Sequence, residues 1–151
     1  MRALTRREAL TLAAGGATAM FFGAGGGVRA TRADTAAEIA KFTGGKAAEN
    51  SRIAIELPEI AENGNTVPLS VVVDSPMTPA DYVTDLLVVA DGNPRPIIAT
   101  FRFTPMSGRA EAATRSRLAA SQTISVVAKT SAGRILAAQK QVKVTIGGCG
   151  G

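Results

Sequence analysis

Gln141-Val142-Lys143-Val144-Thr145-Ile146-Gly147-Gly148-Cys149-Gly150-Gly151 ends the chain. Its first six residues alternate polar and apolar, which puts Val142, Val144 and Ile146 on one face of an extended backbone. A helix would repeat its apolar residues every three or four positions, whereas a period of two marks a half-buried β-strand. The pattern predicts a closing strand over Ile135–Ile146 that stops at Gly147. A cysteine with two glycines on each side follows it. Glycine lacks a Cβ and visits backbone regions closed to other residues, so the pentapeptide reads as a slim, flexible arm. From Gly147 to Cys149 its extended reach is roughly 7 Å, at about 3.5 Å per residue.

The same period recurs upstream. Ile53, Ile55 and Leu57 alternate with Ala54 and Glu56, and Val67, Leu69, Val71 and Val73 form a second alternating run. Between them, Pro58 and Glu62-Asn63-Gly64-Asn65 predict a turn, Asn-Gly being a strong hairpin signal. Asp74 to Pro79 holds two prolines and reads as a loop. Tyr82 to Ala90 (YVTDLLVVA) is a central strand, with a surplus of apolar residues for the core or for a second subunit. Ile97, Ala99, Phe101 and Phe103 share a face, and strands are also expected over Arg109–Leu118 and Gln122–Lys129. Turn signals every 8–14 residues and about seven strands predict an all-β, immunoglobulin-like antiparallel β-sandwich. A short N-terminal helix over residues 34–43, capped by Asp34 or Thr35 and ended by Gly44-Gly45, precedes it.

Composition narrows the function. The 151 residues are 46% hydrophobic and 19% charged, the make-up of one globular domain. Net charge is +5, yet five of the 17 basic residues (Arg2, Arg6, Arg7, Arg29, Arg32) and only one acid, Glu8, lie before residue 33. The remainder carries 12 basic and 11 acidic residues, so it offers no electrostatic footprint for nucleic acid. The chain has no histidine and one cysteine. That excludes a Ser-His or Cys-His pair, a His-ligated zinc, a thiolate metal cluster and an intrachain disulfide. No metal site and no cofactor is expected.

Residues 1–30 read as an export signal. Thr5-Arg6-Arg7-Glu8-Ala9-Leu10 fits a twin-arginine (Tat) pattern, and Ala9 to Val28 is a weakly apolar run holding six glycines. Val28-Arg29-Ala30 offers a small-residue cleavage site. A membrane anchor is the competing reading; the run is about long enough to span, but its glycines make a poor membrane helix. Export by the Tat route implies a periplasmic protein, free of the membrane after cleavage. Such substrates are usually folded first, often with a cofactor or a partner subunit. The chain thus divides into a signal (1–30), an N-terminal helical segment (31–50), a sandwich (51–146) and a carrier arm (147–151).

Four readings of Cys149 stand on residue chemistry: a covalent substrate carrier, an intermolecular disulfide tether, a lipid anchor and an incidental thiol. Prenyl acceptors sit fourth from the end and this cysteine sits third. No cation or helix N-terminus near it is evident to favour the thiolate, and the terminal carboxylate works against it. Activation would then come from a partner's active site, which suits a carrier and not a catalyst. The alternative is an exported immunoglobulin-like interaction module tethered through Cys149. Arg109, Arg115 and Arg117 share strand parity with Glu111 and form either a solvated face or a basic strip for an anionic substrate or partner. Asp81 and Asp85 are not assigned as an acid-base pair.

The Gly147-Gly148-Cys149-Gly150-Gly151 terminus on an exported sandwich resembles the SoxY family, the sulfur-carrier subunits of the bacterial thiosulfate-oxidising (Sox) system. Ile60-Ala61-Glu62-Asn63-Gly64, Asp74-Ser75-Pro76-Met77-Thr78, Gly92-Asn93-Pro94, Gly108-Arg109-Ala110 and Val142 to Ile146 are similar to that family as well. The resemblance covers the chain from about residue 35. It implies a non-enzymatic carrier whose Cys149 covalently holds sulfur intermediates, S-thiosulfonate and sulfane, on an arm of Gly147, Gly148, Gly150 and Gly151. It also implies a heterodimer with SoxZ and transient docking to the SoxAX cytochrome, the SoxB hydrolase and the SoxCD sulfur dehydrogenase. Metals and haems would then belong to those partners.

Overall fold

Val67, Leu69, Val71 and Val73 are each at most 3% exposed, and the sheet they line is one half of a sandwich. The computed structural model describes residues 32–50 and 52–148; the expected signal, with Arg6 and Arg7, and Cys149, Gly150 and Gly151 lie outside the described residues. In chain order the elements are α1 (Arg32–Thr43), β1 (Glu49–Asn50), β2 (Ile53–Glu56), β3 (Ile60–Asn63), β4 (Val67–Val73), β5 (Val83–Ala90), β6 (Ile97–Arg102), β7 (Ala110–Ser116), β8 (Gln122–Thr130) and β9 (Ile135–Ile146). The smaller sheet runs β2-β4-β7, all antiparallel. The larger runs β1-β9-β8-β5-β6, with β3 also alongside β9.

The all-β sandwich stands, with nine strands among the described residues against the expected seven or so. The additions are β1 and β3. Both pair parallel with the outer edge of β9, β1 against Leu136–Ala137 and β3 against Lys143–Ile146. A two-residue strand has no period to detect. In β3 only Ala61 is buried, so its alternation is too weak to stand out. These two segments cover an edge that would otherwise expose unpaired backbone groups.

Asn63-Gly64 closes no tight hairpin. The two strands expected on either side of this connection, β2 and β4, do pair antiparallel and a turn falls at Gly64-Asn65, but β3 intervenes between them and belongs to the other sheet. The chain leaves the small sheet, lays β3 along β9 and returns. Gly64 is the point of return, and its role is packing at the sandwich end.

β5 is central, held between β8 and β6. Leu86, Val88 and Ala90 point into the inter-sheet core with Ile124, Val126, Ala128, Leu136 and Val142. Leu87, Val89 and Val127 have the opposite parity, yet they are no more than 4% exposed. Helix α1 lies against β5 on that outer face. Thr35 and Thr43 are buried, Ile39 and Phe42 are half-buried, and the Lys129 ammonium sits 4.2 Å from the Phe42 ring centroid. The apolar surplus of β5 is therefore placed under the chain's own helix, and the second subunit envisaged for it is not required. The helix begins at Arg32, two residues before the expected cap, so Asp34 falls in its first turn, where a carboxylate favours the helix dipole. Gly44 and Gly45 end it with φ of 65° and 77°, and the Gly45 N–H donates to the Ala40 carbonyl (3.2 Å).

In β6 a bulge turns only Ile97 off the expected face, while Phe101 and Phe103 keep to the core side. Val88 opposes Ala99, but Val89 opposes Ile97, which leaves one extra residue in β6. Ile98 consequently packs on the core, and Ile97 is 46% exposed.

Leu86 is fully buried and Ile60 is 60% exposed. Leu86→Ala should lower unfolding free energy by about 2–5 kcal/mol, and Ile60→Ala by no more than about 0.5 kcal/mol, measured by urea denaturation. Equal shifts for the two would contradict the assigned core.

Candidate functional site: the root of the thiol arm

Three backbone segments meet where β9 ends. The Gly64 N–H donates to the Ile146 carbonyl (2.7 Å), the Leu118 N–H donates to the Gly64 carbonyl (2.7 Å), and the Gly148 N–H donates to the Leu118 carbonyl (2.8 Å). The β3–β4 connection and the β7–β8 connection thus grip the chain as it leaves the sheet. Each bond adds modestly to stability, but an unmade one at a buried group costs more. Gly148 is buried.

The glycines here are required by contact. A Cβ on Gly148 would sit 2.7 Å from the Gly64 carbonyl oxygen and 2.9 Å from its carbon. A Cβ on Gly147 would collide with the Ala119 carbonyl oxygen, and one on Gly64 with the Leu118 carbonyl oxygen and with the Gly148 nitrogen at 2.7 Å. All of these obstacles are backbone, which cannot rotate aside. Gly147 and Gly148 were expected to be the free half of the arm. They form its fixed root instead.

The support extends inward. Asn93 is 3% exposed. Its Nδ2 donates to the Arg117 carbonyl (2.8 Å), and its Oδ1 accepts from the Ala119 N–H (3.0 Å) and from Gln122 Nε2 (2.9 Å). Gln122 Oε1 in turn accepts from the Gly92 N–H (2.8 Å). The 91–96 turn therefore fixes the backbone on which Leu118 and Ala119 present their carbonyls to the root. Ser121 Oγ accepts from the Val144 N–H (2.9 Å), tying the same connection to β9. All three side-chain positions of the Asn93 amide used here are satisfied, as burial demands.

The other charged candidates separate. Arg109 pairs with Glu111 (3.5 Å), Asp81 with Arg134 (3.0 Å) and Asp85 with Arg102 (3.6 Å). Asp81 and Asp85 thus serve as separate ion-pair partners. Arg115 and Arg117 lie exposed beside Arg95. Among the described residues no group of three or more His, Cys, Asp or Glu is placed to hold a metal ion. Asn93 and Gly64 went unassigned from sequence, although both lie in the stretches that carry the family resemblance. Their roles depend on backbone partners distant in the chain, which no local pattern displays.

Sandwich and root together define a class of β-sandwich protein whose closing strand runs into a backbone-gripped Gly-Gly root at one end of the two sheets. Comparison with known proteins sharpens that class. The family model described as sulfur oxidation protein SoxY matches residues 39–149, and the chain belongs to the SoxY family. Among solved structures, the sulfur carrier protein SoxY from Chlorobium limicola f thiosulfatophilum is 32% identical; the match covers 74% of this chain and 96% of that one, with a TM-score of 0.63. A superoxide reductase (neelaredoxin) from Ignicoccus hospitalis shares the fold alone, at 17% identity and a TM-score of 0.56 over 78% of this chain and 95% of that one. No curated protein matches the chain. Family and neighbour identify a sulfur carrier of sulfur oxidation.

Gly148→Ala drives its Cβ onto the Gly64 carbonyl and should break the bond to Leu118. Amide exchange at position 148, followed by NMR, should accelerate by about tenfold or more, the equivalent of one hydrogen bond. Unchanged exchange would show that the root is not held.

Proposed function

We propose that this protein is a periplasmic carrier of thiosulfate oxidation in which Cys149 is the covalent attachment point for sulfur. The observation that carries the reading is the placement of the chain's one cysteine directly after a root fixed at Gly148. Membership of the SoxY family supports it. The carrier makes no catalytic contribution of its own and is acted on by partner enzymes.

Loading is an oxidation. The Cys149 thiol and thiosulfate lose one proton and two electrons and form a sulfur–sulfur bond, giving cysteine S-thiosulfonate. The electrons pass to a haem partner of the SoxAX type. Hydrolysis of the terminal sulfone by a SoxB-type partner breaks the outer sulfur–sulfur bond. Water supplies the fourth oxygen, sulfate leaves, and the sulfane stays on the cysteine for oxidation by SoxCD. SoxZ is the stable partner in a heterodimer, and the Tat-type signal around Arg6 and Arg7 delivers the folded protein.

The fixed root fits this cycle. Each docking event orders chain at a cost of about 1–2 kcal/mol per residue. Gly147 and Gly148 are already held, so that cost does not fall on them. Glycine beside the thiol also keeps bulk away from the walls of several dissimilar active sites.

Intact-mass measurement of protein loaded with thiosulfate by the partner enzymes tests the reading. A reductant-labile thiosulfonate increment should map to the peptide following Lys143 and disappear in Cys149→Ser. Sulfur found at the terminal carboxyl, or a disulfide-linked dimer as the sole product, would overturn it.

A further inference from the structure

Four arginines of the described chain each meet a carboxylate: Arg32, Arg102, Arg109 and Arg134. Arg95, Arg115 and Arg117 meet none among the described residues, and these three line one recess of about 240 Å³. Arg115 and Arg117 stand at alternate positions where β7 ends. Arg95 reaches the same place from the turn before β6, far away in sequence. Asn93, Ile97, Ile98 and Ser116 complete the wall, and no acidic residue lines it.

The recess is built and not merely a crowded surface. Asn93 bonds the Arg117 carbonyl and the Ala119 N–H, which fixes the turn bearing Arg95 against the strand end bearing Arg117. Ser116 Oγ donates to the Val67 carbonyl (3.3 Å), anchoring the residue between the two β7 arginines. Guanidinium groups stay charged at any physiological pH, and their planar forks of N–H donors match the oxygens of a tetrahedral oxyanion. Three arginines lining one recess with no carboxylate among them concentrate positive charge that an anion would neutralise.

We infer that Arg95, Arg115 and Arg117 form a binding site for a small sulfur oxyanion. The choice of sulfate and thiosulfate among tetrahedral anions rests on the carrier reading; the site itself rests on the arginines. Its location adds meaning. Arg117 precedes Leu118, whose carbonyl holds Gly148, so the site adjoins the root from which Cys149 emerges. The same –SO₃⁻ chemistry is offered by free thiosulfate or sulfate and by the outer end of a thiosulfonate on Cys149.

NMR of the arginine Nε–H groups separates these sources. In the full-length Cys149→Ser protein, which forms no adduct, sulfate and thiosulfate should produce saturable shifts at Arg95, Arg115 and Arg117. Arg52 and the carboxylate-paired Arg109 serve as controls. Arg115→Gln with Arg117→Gln should weaken binding by about tenfold or more, with an otherwise unchanged spectrum showing that the variant is folded. In wild-type protein loaded with thiosulfonate and freed of excess anion, the same shifts would assign the adduct as occupant; their absence beside a positive titration would assign the free anion. Linear shifts, shifts equal to those of Arg52 and Arg109, or a response to polyglutamate alone would overturn the proposal. The mass of the Cys149 adduct is read separately, so loss of this site leaves the carrier reading standing.

Discussion

The bond from the Gly148 N–H to the Leu118 carbonyl joins the fold to its function. It lies at the junction of three segments that no sheet pairing unites: the end of β9, the β3–β4 connection and the β7–β8 connection. Gly64 bonds both Ile146 and Leu118, so the grip on Gly148 depends on the return of the chain after β3. Without β3 along the outer edge of β9, Gly64 would have no fixed position. Without Asn93, the backbone of 117–119 would lose its inner support. Gly147 and Gly148, which in sequence look like part of an autonomous arm, are in fact anchored by backbone from two connections at one end of the sandwich.

This arrangement separates two roles of glycine that sequence cannot distinguish. Gly147 and Gly148 precede the cysteine, and Gly150 and Gly151 follow it, in a symmetric pattern. Symmetry suggests one reason for all four. The contacts around the first two give a different reason: a Cβ on either would meet backbone atoms of Ala119 or Gly64. Close approach, not conformational freedom, fixes their identity. A carrier gains from this. With Gly147 and Gly148 held against the sandwich end, the chain leaves the body at a fixed point, and neither residue adds an ordering cost when the protein docks.

Much of the fold was legible because its signals are local. The alternations of Val67–Val73 and Val142–Ile146, the apolar run of β5 and the Gly-Gly stop after α1 all act within a few residues. What was hidden depends on pairing between distant segments. The strand β3 is recognisable only beside β9, and the Asn63-Gly64 pair carries the strongest hairpin signal while closing no tight hairpin. The bulge that turns Ile98 inward and Ile97 outward depends on the register with β5. The helix covering Leu87 and Val89 was expected, but its destination was not; amphipathicity says that a face will be buried and not against what.

The candidate site divides in the same way. Cys149 was evident from composition alone, since a chain without histidine and with one cysteine leaves few atoms capable of covalent chemistry. The apparatus around it was not, because it is made of backbone carbonyls and of an asparagine amide whose partners lie 24 and 26 residues away. Arg115 and Arg117 share a parity and were readable as a strip, but the third guanidinium, Arg95, joins them only through the fold. One segment, 115–119, therefore serves both features: its side chains at 115 and 117 face the recess, and its carbonyls at 118 and 119 confront the root. A change in the position of that segment would move the arginines and the grip on Gly148 together, so the placement of charge and the anchoring of the root are set by the same few residues.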